Sequence, residues 1–405
     1  MMIELSAGFL PLTDSAILIA AKERGFAEAE GIALDLVRET SWANVRDKLA
    51  VGQFEISHAL APMPIAANLG LTPFDTRLIA PMALGLGGNA VTVSMNLIEK
   101  MQQQIAFDML DAKAAGQALA YVVLANRTEG GRPLQFGVVH PFSGHNFELR
   151  YWLSASGIVP ESDIEIVILP PSLMADALKT GQIDGYCVGE PWNSVGVAAG
   201  AGRIVTTKSS IWASSPEKVL AVRDDWAEHN AETLHALLRA LYRSAEWCAQ
   251  PSNHLDLAAL LSSAGYLGQP IDIILPALNG SILGDANSAA SPDFFEMHDH
   301  AATFPWQSHA LWFYSQMVRW GYVDHSADHA ELARRSYRPD IYRTALSGIG
   351  VPVPSANSKV EGSLTQPVTV GASSQFIRLG PDGFFDGTTF DPDQLDDYIA
   401  RQKPR

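Results

Sequence analysis

Cysteine is nearly absent. Cys187 and Cys248 are the two thiols among 405 residues, too few for a disulfide framework or a Cys-rich metal centre. Both lie in patterns that read as buried structure, so no bridge between them is expected. No run of about twenty apolar residues exists, which excludes a membrane-spanning helix. Basic residues are also scarce: 28 Lys and Arg stand against 44 Asp and Glu, a net charge of −16. Direct binding to nucleic acid, which needs a basic face, is disfavoured. Any anion site must be a local exception to the overall field. GxSxG, HExxH and Cys–His nucleophile patterns are missing, so no hydrolase chemistry is indicated. The turn Gly85-Leu86-Gly87-Gly88 is not a phosphate loop, because it lacks the Lys-Ser/Thr end and precedes a strand. Low-complexity tracts, heptads and charge blocks are absent too.

What is present describes a globular α/β chain. Hydrophobic residues make up 47% and charged residues 18%, ordinary values for a folded protein, and the length suits two or three domains. A repeated module organises it. Ser41–Pro64 reads as a short helix, a turn at Gly52, a strand over Phe54–Ala61 and a Pro-x-Pro corner. Gly52-Gln53-Phe54-Glu55 returns as Gly181-Gln182-Ile183-Asp184, and Pro62 and Pro191 close the two copies at the same offset. The duplication predicts two similar α/β lobes with a cleft between them, and strand ends facing such a cleft are where ligands sit.

The rest of the chain fits that plan. Ile3–Leu10 and Gly31–Val37 are predicted strands around a helix that Thr13 or Asp14 caps and Gly25 ends, a βαβ unit. Asn89–Ser94, Pro133–His140 and Ile164–Leu169 are further strands, and Phe147–Ser156 is a helix. Beyond Val219–Val222 the chain is mostly helical: Glu228–Gln250, His254–Ser263 and Trp312–Trp320. Pro352–Thr369 reads as an extended strap, followed by a DG turn and a last short helix. Lobe one is expected to hold residues 1–95 and 213–405, the latter with the C-terminal helices and strap. Lobe two is expected to hold 96–212.

Five residues at predicted loop mouths carry candidate chemistry. Trp42 offers an indole N–H and an apolar plate, or is a core aromatic at a helix entry. Asn89 offers an amide, or serves its turn. His145 precedes a helix, where its ring and free backbone N–H groups can face an anion together, or it caps or is solvated. Gly189 lets a ligand approach the backbone, or opens a turn. Lys218 is a full positive charge at a crossover strand, or a solvated lysine. Substitution of His145 or Lys218 is expected to weaken binding without unfolding the chain. His58 reads as a satisfied core or interface histidine and Glu190 as a cap or pairing partner. His298, His300 and His309 lack the frame that would indicate zinc.

At these positions the chain resembles a family. SWANVRDKLAVGQFEISHALAPMP, GNAVTVS, SGHNFELRYWLSASG, GYCVGEPWN and SPEKVLAV together resemble the nitrate-binding and bicarbonate-binding proteins of ABC transporters, from Gly8 to the closing FFDGTTFDP. The resemblance implies the two-lobed type II periplasmic-binding-protein fold. It also implies a nitrate site on Trp42, Asn89, His145, Gly189 and Lys218, with neither cofactor nor metal and no enzyme activity. The family's amide is usually Gln, so Asn89 departs from the pattern, and a shorter amide would reset the pocket or admit a bridging water. Lys218 argues against bicarbonate, whose binders carry an acidic residue near that position. Nitrate has acceptors only, and indole, amide and ammonium are donors. An enzyme on this fold resembling thiamine-pyrimidine synthases would need a Cys-rich iron site that two isolated cysteines cannot build. Because Met1 leads straight into the first strand with no leader pattern, a cytoplasmic location away from the membrane is expected. The resemblance is then greatest to the cytoplasmic nitrate/nitrite sensor that sequesters an ANTAR-domain RNA-binding antiterminator and releases it on binding the anion. An extracytoplasmic transporter component is the alternative.

Overall fold

The computed structural model describes residues 2–108, 110–283, 290–291, 293–373 and 375–402. Its strands are β1 (Ile3–Phe9), β2 (Ile32–Arg38), β3 (Ile56–Leu60), β4 (Leu78–Ala83), β5 (Leu86–Gly87), β6 (Asn89–Ser94), β7 (Leu134–Val138), β8 (Ile164–Ile168), β9 (Gly185–Gly189), β10 (Gly202–Thr207), β11 (Lys218–Arg223), β12 (Phe295–Glu296), β13 (Val368–Gly371) and β14 (Phe376–Leu379). One sheet runs β2-β1-β3-β11-β4, and the other, read from its far edge, runs β8-β7-β9-β6-β10. The sheets correspond strand for strand. In each, the first three strands are parallel, the fourth runs antiparallel to them, and the fifth is antiparallel to the fourth. This is the predicted α/β architecture with two lobes, of periplasmic-binding-protein type.

The repeated module explains why the lobes match. Gly52 and Gly181 both take left-handed backbone, at φ 76° and 73°, conformations that glycine adopts without strain. Each lets the next amide turn back onto its helix, Gln53 N to Lys48 O at 2.8 Å and Gln182 N to Ala177 O at 2.9 Å, which closes the helix end. The acid then ties the new strand to its neighbour. Glu55 Oε2 accepts from Ser6 N at 2.8 Å and Asp184 Oδ2 from Gln135 N at 2.9 Å. Pro62 and Pro191 stand just ahead of the helices Met63–Asn68 and Trp192–Ala198.

The strand Asn89–Ser94 is hydrogen-bonded to β9 and β10, so the chain crosses between lobes ahead of Asn89 and not at residue 95. The C-terminal half serves both sheets. Helix Ala231–Cys248 packs on Ala16–Glu23 of lobe one, with Ser244 Oγ donating to Ile17 O at 2.7 Å. Helix Gln307–Arg319 meets Gly144–Ala155 of lobe two through Tyr151 and Trp312, ring centroids 5.9 Å apart. Phe384 stacks on Trp212 at 4.6 Å. Of the predicted strap 352–369, residues 352–367 lie in no helix or strand, and Val368 and Thr369 begin β13. Among the described residues no helix is long and apolar enough to cross a membrane.

Candidate functional site

The parallel strands of both sheets end at one buried seam, and the next residues after them point into it. β1 leads to Asp14, β2 to Trp42, β7 to His145, and β9 ends at Gly189. β6 starts at Asn89, opposite Gly189. β11 starts at Lys218, opposite Leu60. The helices that follow are capped alike. Ser41 Oγ accepts from Asn44 N at 3.2 Å and Ser143 Oγ from Asn146 N at 3.1 Å, which fixes Trp42 and His145 in opposing first turns. The five residues singled out from the sequence are thus brought to one place. Trp42, Asn89, His145 and Lys218 are all buried.

Their surroundings were not legible in the same way. Lys218 is no free cation. Its Nζ lies 2.7 Å from Asp14 Oδ2 and 2.6 Å from Glu217 Oε1, and 5.4 Å from the Trp42 ring centroid. Asp14 does not cap its helix. Its second oxygen lies 2.9 Å from Nε2 of His58, whose ring is 5.3 Å from Trp42, so His58 belongs to the site. Glu217 reaches across the lobes. Its Oε1 lies 3.3 Å from His145 Nδ1, and its Oε2 pairs with Lys208, which also holds Glu148 at 3.0 Å and Pro216 O at 2.7 Å. Gly144 makes room for this, since a Cβ there would stand 2.3 Å from Glu217 Oε2. Gly189 is equally confined: a Cβ would meet Asn89 Oδ1 at 3.1 Å, Leu12 at 3.2 Å and Asp14 Oδ2 at 3.5 Å.

Burial and pairing set the charges. Burial opposes the ionised form of Asp14, but Lys218 and His58 outweigh it and hold its carboxyl below the usual range. Burial also works against Lys218, yet Asp14 and Glu217 hold its pKa up. Glu217 is likewise held low against burial by His145, Lys208 and Lys218. Burial pushes Glu148 up to about 8 and Glu190 up to about 7. It pushes His58 down and His145 down to about 3. Both histidines are therefore neutral near pH 7. Several polar atoms here are buried without a protein partner: Trp42 Nε1, Asn89 Nδ2 and Oδ1, His145 Nε2 and Thr13 Oγ1. Buried polar groups are normally satisfied, and these unpartnered atoms at the strand ends make the seam the candidate site.

The sequence gives no comparable signal for Asp14, Glu148, Lys208 or Glu217, because each lies in a segment that reads as an ordinary cap, helix or turn. Elsewhere, His298 sits beside Asp299 and His309 beside Glu361, so the loose C-terminal histidines do not form one cluster. Among the described residues no group of His, Cys, Asp and Glu is arranged to hold a metal ion. Cys187 and Cys248 are separate, buried thiols.

Comparison with known proteins places this geometry. A model described as the NMT1-like family matches residues 3–262. The nitrate/nitrite binding protein NrtA of Synechococcus elongatus is 32% identical over 98% of this chain and 85% of its own length. The nitrate import ATP-binding protein NrtC of a Synechocystis species is 33% identical, but the chain spans only about half, 51%, of that relative. Among solved structures, the periplasmic nitrate-binding protein NrtA from Synechocystis superposes with a TM-score of 0.85 at 27% identity, covering 100% of this chain and 99% of the other. That end-to-end match to a periplasmic protein overturns the cytoplasmic location expected from the N-terminus. The family and fold are those of substrate-binding proteins, and this chain belongs to the NMT1-like family as a homologue of nitrate/nitrite binding proteins.

Proposed function

We propose that this protein is the extracytoplasmic nitrate- and nitrite-binding component of an ABC importer, a binding protein and not a catalyst. Trp42, Asn89, His145, Gly189 and Lys218 are the residues we assign to the anion. One observation carries the reading. The unpartnered donors Trp42 Nε1 and Asn89 Nδ2 lie buried at the seam where Lys218 and His145 also meet, a donor set suited to a ligand that only accepts. The full-length similarity to nitrate/nitrite binding proteins supports it. The sensor that sequesters an ANTAR-domain antiterminator depended on a cytoplasmic location and gives way to the transport reading. The partners then expected are the membrane and ATP-binding subunits of the importer.

A thermal-shift panel with nitrate, nitrite, bicarbonate and sulfonates tests this. Nitrate and nitrite should stabilise by about 2.7 kcal/mol at a hundredfold excess over Kd. Stabilisation by bicarbonate alone would overturn the assignment.

A further inference from the structure

His145 stands between two groups that can only accept. Its Nδ1 lies 3.3 Å from Glu217 Oε1, close enough for a small ring rotation to align them, and neither ring nitrogen has a hydrogen-bond partner in the protein. A carboxylate accepts, nitrate and nitrite oxygens accept, and a neutral imidazole carries a single N–H. Neutral His145 must therefore turn a lone pair either to Glu217 or to the anion. Only the imidazolium donates to both.

Charge counting points the same way. The charged groups that act on His145 are Glu217 and Lys218 at β11, Lys208 after β10 and Asp14 after β1. His58 on β3, Cys187 on β9 and Glu148 on the helix of His145 face the same charges. All are buried. Lys208 and Lys218 face Asp14, Glu148 and Glu217. With Glu148 protonated, the form that burial favours by raising its pKa, two positive charges balance two negative ones. A permanent monoanion then leaves one uncompensated charge where water is excluded, which is strongly unfavourable.

We propose that the protein takes up its anion together with one proton, and that the proton resides on His145, which donates Nδ1–H to Glu217 and Nε2–H to the anion. The inference rests on the nitrate reading. No bond to the anion forms or breaks: neutral His145, the anion and a solvent proton become an imidazolium–anion pair, and the cluster keeps its net charge of zero. Nitrate itself does not titrate in the working range, so the whole pH dependence belongs to the protein.

Calorimetric titration of the full chain with nitrate, near pH 7 in buffers of different ionisation enthalpy, counts the proton directly. The expected slope approaches one proton taken up per anion, with affinity falling about tenfold per pH unit where uptake is complete. His145→Gln keeps a donor but cannot become a cation. It should bind nitrate more weakly, with no proton uptake and a flat pH profile. Nitrate binding by the unsubstituted protein with zero slope, or with proton release, overturns the proposal. Undiminished uptake in His145→Gln overturns the assignment to His145, with His58 next to Asp14 as the other seat. Absence of any heat or thermal shift with nitrate is a separate result and strikes the nitrate reading itself.

Discussion

Lys218→Met tests the buried charge network most directly. Lys218 is held by two carboxylates at 2.7 and 2.6 Å, and its side chain is fully buried. Methionine keeps much of the volume against Trp42 but removes the charge. Glu217 retains Lys208; Asp14 retains only His58, which is neutral near pH 7. Breaking a buried pair from one side costs about 3–5 kcal/mol because the remaining charge is left uncompensated. That is a large share of the about 5–15 kcal/mol that stabilises a typical domain. The expectation that this substitution would weaken binding without unfolding is therefore revised: it should do both. Urea unfolding followed by tryptophan fluorescence measures the loss. Asp14→Asn combined with Lys218→Met should recover much of it, with a coupling energy of at least about 1 kcal/mol. The pH sign is also fixed. In the unsubstituted protein Asp14 has a depressed folded pKa, so its contribution is present above its unfolded pKa and is lost as pH falls through the folded one. Without Lys218 the folded pKa of Asp14 rises, so the deficit should be largest near neutrality and shrink on acidification. A loss under about 1 kcal/mol, or a double variant no better than the single, would refute the reasoning.

Three further outcomes are expected. Glu148 has a folded pKa of about 8, above its unfolded value, so the native state binds the extra proton and stability should decline as pH rises from about 5 to 8. Glu148→Gln should flatten that decline, and an unchanged slope in pH-dependent melting would show that the proton sits elsewhere. Gly144→Ala places a Cβ 2.3 Å from Glu217 Oε2. It should cost about 1–3 kcal/mol as overpacking does and lower anion affinity, and an unaltered Tm would count against the tight fit of Glu217. Cys187 and Cys248 are buried, and burial pushes the Cys187 thiol up and the Cys248 thiol up to about 12. A thiol reagent should label neither in the native protein and both in denaturant, and rapid native labelling would contradict the burial.

The duplicated fold was legible because its determinants are local. A left-handed glycine, an acid that reaches the neighbouring strand and a proline at the strand end recur at Gly52, Glu55 and Pro62 and again at Gly181, Asp184 and Pro191. Such short-range chemistry survives in sequence. The C-terminal half was less legible. Ile271–Leu278, Ala327–Arg335 and Pro339–Leu346 are helices whose ends the sequence alone does not delimit. Their place is decided by packing, and between the last two Tyr337 is anchored by its OH donating to Ala61 O at 3.0 Å. The crossing between lobes is hard to place for the same reason. β6 is assigned by its partner strands, β9 and β10, and not by its own residues.

The site divides along the same line. Trp42, Asn89, His145, Gly189 and Lys218 each stand beside a cap, a strand end or a glycine that marks a loop mouth, so each could be picked singly. Asp14, Glu148, Lys208 and Glu217 could not, because a buried charge is recognisable only by its partner, and every partner is remote in sequence or hidden in an ordinary motif. The omission changes the physics of the site. The donors alone describe a basic pocket that attracts any anion. With the acids included, Lys218 and Lys208 are neutralised before the ligand arrives, and long-range attraction contributes little. Selectivity then rests on matching short-range donors and on the charge state of His145. With the proton on His145 balancing one charge, a monoanion leaves none uncompensated and a dianion leaves one, so a balanced site of this kind rejects divalent oxyanions more strongly than a merely basic one.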